Sequence, residues 1–175
     1  MPVTELHDFQ LAVARRWRER AASVEDIYSQ FFFLFAAFNA LYFLWKEVDH
    51  LRGSHGHPSE REQINHLVAK LNDPDQLAIT LRHELHYFAS RRPIQRMDRR
   101  VTGATGTPDE GERLQQELSA EASGDRLRAL AGIVYLIRCN LAHGSKTLSG
   151  DDEELVAQAV PILFSLVDAS VQASG

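Results

Sequence analysis

One cysteine, Cys139, is the whole thiol content of this 175-residue chain, so neither an intramolecular disulfide framework nor a multi-cysteine zinc site can be built from it. A reducing compartment, the cytoplasm, is the setting that composition fits. The opening Met1-Pro2-Val3-Thr4-Glu5 lacks the basic-then-apolar pattern of a signal peptide. The longest aromatic run, Phe31 to Trp45, falls short of the roughly 20 residues that span a bilayer, contains Asn39, and is followed at once by Lys46 and Glu47. No membrane is expected as a partner. Positive charge is in deficit: 19 Lys and Arg stand against 24 Asp and Glu, a net charge of -5. That excludes a protein that coats nucleic acid through bulk charge and leaves only local basic patches. No segment alternates with the period of a strand, and no internal repeat is present. Metal-ligand spacing is missing too. His55-Gly56-His57 sits in a glycine loop without carboxylate or cysteine companions, and His83-Glu84-Leu85-His86 is one residue short of the zinc-protease spacing. No metal and no cofactor are expected.

What is there is apolar residues at helical spacing. A hydrophobic fraction of 44% suffices for a sizeable core in one domain spanning residues 1–175. Leu6, Phe9, Val13 and Trp17 mark the expected buried face of a first helix, and Arg15, Arg16, Arg18 and Arg20 gather at its end. Those arginines either complement the helix C-terminus or form an RNA-contacting patch. Ser23 is the expected cap of a second helix, with Glu25 and Asp26 in its first turn. Phe31 to Phe38 makes that helix apolar almost all round, so it should pack on several sides with Asn39 as a buried amide. Further helices are expected near Ser59 to Leu71, from Asp73-Pro74 onward with Leu77, Leu81, Leu85 and Phe88 inward, and from Asp109 to Ala122. A last helix opens at Asp151 and Asp152 and buries Leu155, Val156, Ala159, Ile162, Leu163, Leu166 and Val167, with Pro161 a point of kinking. The fold class is therefore all-α, with about six to seven helices.

The stretch that could carry chemistry is Ile137-Arg138-Cys139-Asn140-Leu141-Ala142-His143-Gly144. Leu127, Leu130, Ala131, Val134, Ile137 and Leu141 recur at three- and four-residue steps, and Gly144 reads as the stop, which puts His143 in the last turn. Helix-end carbonyls favour a protonated imidazole there, so a raised pKa is expected for His143. Arg138 is a permanent cation with a planar fork of donors suited to phosphate oxygens. A five-residue step separates the two by roughly 140° on a straight helix. They converge if the helix end unwinds at Gly144, or if two copies of the helix meet across a two-fold axis. Ser145 and Lys146 could hold a phosphate from beyond the helix end.

Arg138, four residues, then His143 resembles the R-x4-6-H motif of the HEPN superfamily (higher eukaryotes and prokaryotes nucleotide-binding), in its Arg-x-Asn-Leu-x-His-Gly form. Phe38-Asn39-Ala40-Leu41-Tyr42 resembles the early helix of the same prokaryotic branches. The resemblance implies an up-and-down helical bundle that forms a homodimer and, in catalytic members, a metal-independent endoribonuclease with its motif at the dimer interface. It implies Arg138 and His143 as the catalytic pair, with Asn140 in support. It also implies the toxin, phage-defence or stress-response setting, in which an antitoxin or regulatory protein would be a further partner. Two departures stand out. Cys139 occupies a place that is often polar in the family, and Ser145 and Lys146 follow Gly144 where the branch paired with nucleotidyltransferase antitoxins has His-x-Tyr.

Around that motif, Asn39 could orient Arg138. Residues 91–108 hold Arg91, Arg92, Arg96, Arg99 and Arg100 ahead of a Thr/Gly-rich run, and form either a solvated loop or an RNA-backbone clamp. The expected function is metal-independent cleavage of RNA through its own 2'-hydroxyl. The alternative is a non-catalytic helical dimer that binds a nucleotide, RNA or a protein partner, with Arg138 paired to a carboxylate and His143 a helix cap.

Overall fold

A computed structural model describes residues 3–51, 58–94, 110–142 and 150–174, and every described element is helical. In chain order these are α1 (Val3–Ala22), α2 (Ile27–Leu51), α3 (Glu60–Val68), α4 (Pro74–Thr80), α5 (Arg82–Ser90), α6 (Glu110–Glu117), α7 (Ser123–Ala142) and α8 (Gly150–Ser174). The described residues thus hold eight helices, because the segment opening at Asp73-Pro74 divides into α4 and α5 at Leu81.

Local chemistry sets the helix starts. The Asp26 carboxylate accepts the Ser29 backbone N–H at 2.7 Å, while the Ser23 hydroxyl donates back to the Arg20 carbonyl. Asp26, not Ser23, therefore caps α2. Ser59 caps α3 in a reciprocal box with Glu62, and Asp73 caps α4 with Pro74 in the first turn, where a missing N–H costs nothing.

The centre of the bundle is made by α2, α7 and α8. α1 lies along α2, α8 packs on α1, α2 and α7, and α3, α4 and α6 cover the other side of α7. Phe31, Phe38, Leu41, Leu127, Leu130, Val134, Ile162 and Leu166 are nearly or wholly buried in this core. Each such side chain contributes about 1.5–3 kcal/mol of transfer free energy. Pro161 is accommodated inside an unbroken α8. By length and composition α8 is also the one described helix that could cross a bilayer, and half of its apolar window is buried inside the bundle.

Two expected faces are corrected. α1 turns Leu11, Ala14 and Ala21 inward, leaving Phe9 58% and Trp17 39% exposed. The alanines let α1 approach α2 closely, a gain the larger side chains could not provide. Asn39 is exposed rather than buried, because the outer face of α2 carries Phe32, Asn39 and Phe43 at the surface.

Candidate functional site

α7 is buried on nearly every side through Ala129 to Ile137, and Gly132 is the point of closest approach. A Cβ there would lie 2.7 Å from Leu114 of α6. Toward the end of this helix Arg138 emerges half-buried, its guanidinium 5.4 Å over the Phe35 ring of α2. The ring can hold the cation's face but cannot accept its in-plane N–H donors. Among the described residues Arg138 forms no ion pair, unlike Arg18, Arg61, Arg113 and Arg128. The carboxylate-paired arginine expected of a purely structural role is not the arrangement found.

Beside Arg138 lies a set of acidic and phenolic groups from three helices. The Tyr42 hydroxyl donates to the Glu60 carboxylate, and Tyr42 is 1% exposed. Burial, then the Glu60 hydrogen bond and charge, push the Tyr42 phenol well above its usual range, while the Arg138 charge pulls the other way. Tyr135, three residues before Arg138, stands close to Cys139 and Glu60, and its phenol is also raised, first by burial and then by Cys139. Glu60 of α3 thus accepts from Tyr42 of α2 and stands near Tyr135 of α7. None of Glu60, Tyr42, Tyr135 or Phe35 was assigned to the site from sequence. A tyrosine hydroxyl inside the Phe31 to Trp45 run was the available signal, since a buried phenol calls for an acceptor.

The other expected site residues separate. Asn140, 3% exposed, faces the opposite side of α7 from Arg138, as a two-residue step of about 200° requires. With Ile94, Ile137, Leu141, Asp152, Leu155 and Val156 it lines a void of about 10 Å³ against the start of α8. Asn140 therefore belongs to the α7–α8 junction. Asp152, in the first turn of α8, is buried beside it. Asn39 lies one turn beyond Phe35 on α2, on the flank that meets Arg138. His143 and Lys146 lie outside the described residues, as do Arg96, Arg99 and Arg100 and the His55-Gly56-His57 loop. Cys139 is buried, as a small core residue would be.

Of the basic loop, Arg92 is exposed, but Arg91 is tied down. Its guanidinium sits 5.1 Å over the Tyr87 ring and donates to the Tyr87 hydroxyl, and its carbonyl accepts from the Gln115 amide. Burial raises the Tyr87 phenol, Arg91 lowers it, and Glu154 and Asp151 raise it, which places the first arginine of the loop near the acidic opening of α8.

A second cavity, about 570 Å³, lies between α3, α6 and α7 and is lined by Arg61, Glu62, Arg113, Glu117, Asp125 and Arg128 among others. Arg61 pairs with Glu110, Arg113 with Glu117 and Arg128 with Asp125, so its charges are already balanced. It is also remote, since Arg128 and Arg138 are ten residues or about 15 Å apart along α7. No group of three or more metal-binding side chains forms among the described residues. Compared with family models, curated proteins and solved structures, the chain matches none.

Proposed function

We propose that this protein is a HEPN-type, metal-independent endoribonuclease that acts as a homodimer. The observation that carries the reading is Arg138: a half-buried guanidinium held by an aromatic face, with no carboxylate paired to it among the described residues, five residues before a histidine. A cation kept in place without being neutralised is suited to an anionic ligand. In the proposed reaction the 2'-oxygen attacks phosphorus, the P–O5' bond breaks, and the proton leaving the 2'-hydroxyl is matched by one delivered to the 5'-oxygen. His143 moves one of these protons and Arg138 stabilises the charge that builds on the phosphorane-like transition state. The products are a 2',3'-cyclic phosphate and a 5'-hydroxyl.

The outer face of α2 supports the dimer. Phe32 is 44% and Phe43 36% exposed, with Asn39 between them, and half-buried Arg138 covers the Phe35 ring of the same helix. Pairing two copies there would bring both arginines toward one cleft.

The test is RNA cleavage by purified protein in excess EDTA, comparing wild type with Arg138→Ala and His143→Ala and analysing product ends. Cleavage that survives chelation, leaves cyclic phosphates and disappears in both folded variants supports the reading. A folded wild-type dimer that binds RNA or nucleotide but cleaves no RNA overturns it in favour of a binding module.

A further inference from the structure

We infer that the α1 surface carrying Arg16, Trp17 and Arg20, with Phe33 of α2 behind it, is a stacking platform for single-stranded RNA. The platform is separate from Arg138. On α1, Phe9, Val13, Arg16, Trp17 and Arg20 fall within about 100° of one another around the helix, on the flank beside the face that buries Leu11, Ala14 and Ala21. Trp17 keeps 39% of its surface exposed, and its ring stacks on Phe33 at 5.5 Å between centroids with 23° between planes. The Arg20 guanidinium covers the same Phe33 ring at 5.8 Å. Phe33 therefore fixes both the indole and the cation, so their orientation costs little further entropy when a ligand arrives.

Charge selects the occupant. On the same helix, Arg18 is engaged twice at 2.9 Å by Asp168, whereas Arg15, Arg16 and Arg20 are exposed and form no ion pair among the described residues. Glu19, exposed and one turn from Arg15 and Arg16 but about 100° round the helix from Arg20, forms no ion pair among the described residues, and the Asp26 carboxylate is taken up at the start of α2, where it accepts the Ser29 N–H. In a chain of net charge -5, an aromatic face set among exposed arginines that form no ion pair among the described residues fits a flexible polyanion with flat bases. Duplex RNA, whose bases are already stacked, offers only its phosphates to such a surface. The platform deepens the nuclease reading by adding a place where substrate is gripped outside the cleavage centre, yet it does not depend on cleavage.

The experiment uses the full chain with Trp45→Phe, so that Trp17 is the only fluorophore of its kind. It is titrated with a short oligouridylate and with duplex RNA of matched length. The expected result is quenching of Trp17 by the single strand, with affinity reduced about tenfold in Arg16→Ala/Arg20→Ala and a salt slope smaller by about 0.7 for each arginine removed. Arg18→Ala, at the paired arginine, should retain the wild-type slope, and circular dichroism checks that each variant is folded. Equal response to duplex and single strand, an unchanged affinity in the folded double variant, or quenching only upon self-association overturns the platform. His143→Ala separates the two proposals. Binding preserved while no protein cleaves RNA removes the nuclease and keeps the platform, whereas cleavage by a protein whose Trp17 stays silent does the reverse.

Discussion

Replacing Tyr42 with phenylalanine should change the pH dependence of stability as well as its size. The Tyr42 hydroxyl is buried and donates to Glu60, so at neutral pH its loss removes a hydrogen bond to a charged acceptor, at a cost of about 1.5–3 kcal/mol. Burial and Glu60 raise the folded-state phenol above the unfolded value of about 10. The folded protein therefore holds a proton that the unfolded chain releases. This contribution is fully present below about pH 10 and is lost progressively as pH climbs from there toward the folded value, by about 1.4 kcal/mol per pH unit. Tyr135, also raised, loses stability in the same direction over a narrower pH window, and because it is present in both proteins it drops out of their difference. Urea unfolding at about pH 8 and about pH 11 should show the variant's deficit narrowing by about 1.4 kcal/mol. A deficit that is constant or wider at the higher pH would refute the argument that Tyr42 is a buried, Glu60-bonded phenol.

Gly132→Ala adds a methyl group 2.7 Å from the end of the Leu114 side chain, and overpacking of about 1–3 kcal/mol should outweigh the roughly 1 kcal/mol gain in helix propensity, lowering the thermal midpoint. Gly111→Ala should be the more damaging, because its Cβ would lie 2.0 Å from the backbone oxygen of Ile94, which no rotamer change relieves; proteolysis near residues 91–94 reads the release of that segment. Arg18→Ala should cost no more than about 1 kcal/mol in denaturant titration, since both partners of its ion pair are more than a third exposed. If the proposed dimer pairs through the outer face of α2, Phe32→Ser with Phe43→Ser should shift sedimentation from dimer to monomer while circular dichroism keeps its helical signal, and a folded double variant that still sediments as a dimer would move the interface elsewhere.

The motif helix and most of the core could be read from the chain because large apolar residues at three- and four-residue steps dominate α7 and α8. α1 was misread by the same criterion. Leu6, Phe9, Val13 and Trp17 outweigh Ala14 and Ala21 in hydrophobicity, but close helix packing rewards the smaller residues, and the aromatic side chains were left at the flank. The division at Leu81 carries neither proline nor glycine and could not be seen. Asn39 was placed inside on the strength of its apolar neighbours, although the exposed Phe32 and Phe43 show that apolar residues also line the outer face of α2. At the candidate site, sequence isolated Arg138 but not its surroundings. Phe35, Tyr42 and Glu60 reach it from α2 and α3, and nothing in local spacing records a meeting across helices.

The solitary thiol turns the neighbourhood of Arg138 into its own reporter. Cys139 is 3% exposed, so a thiol reagent can reach it only when α7 parts from the helices that cover it. With no other cysteine in the chain to compete, the labelling rate in native buffer measures how often that stretch opens. The residue beside the arginine is thus a built-in clock for local unfolding, readable without any engineered label.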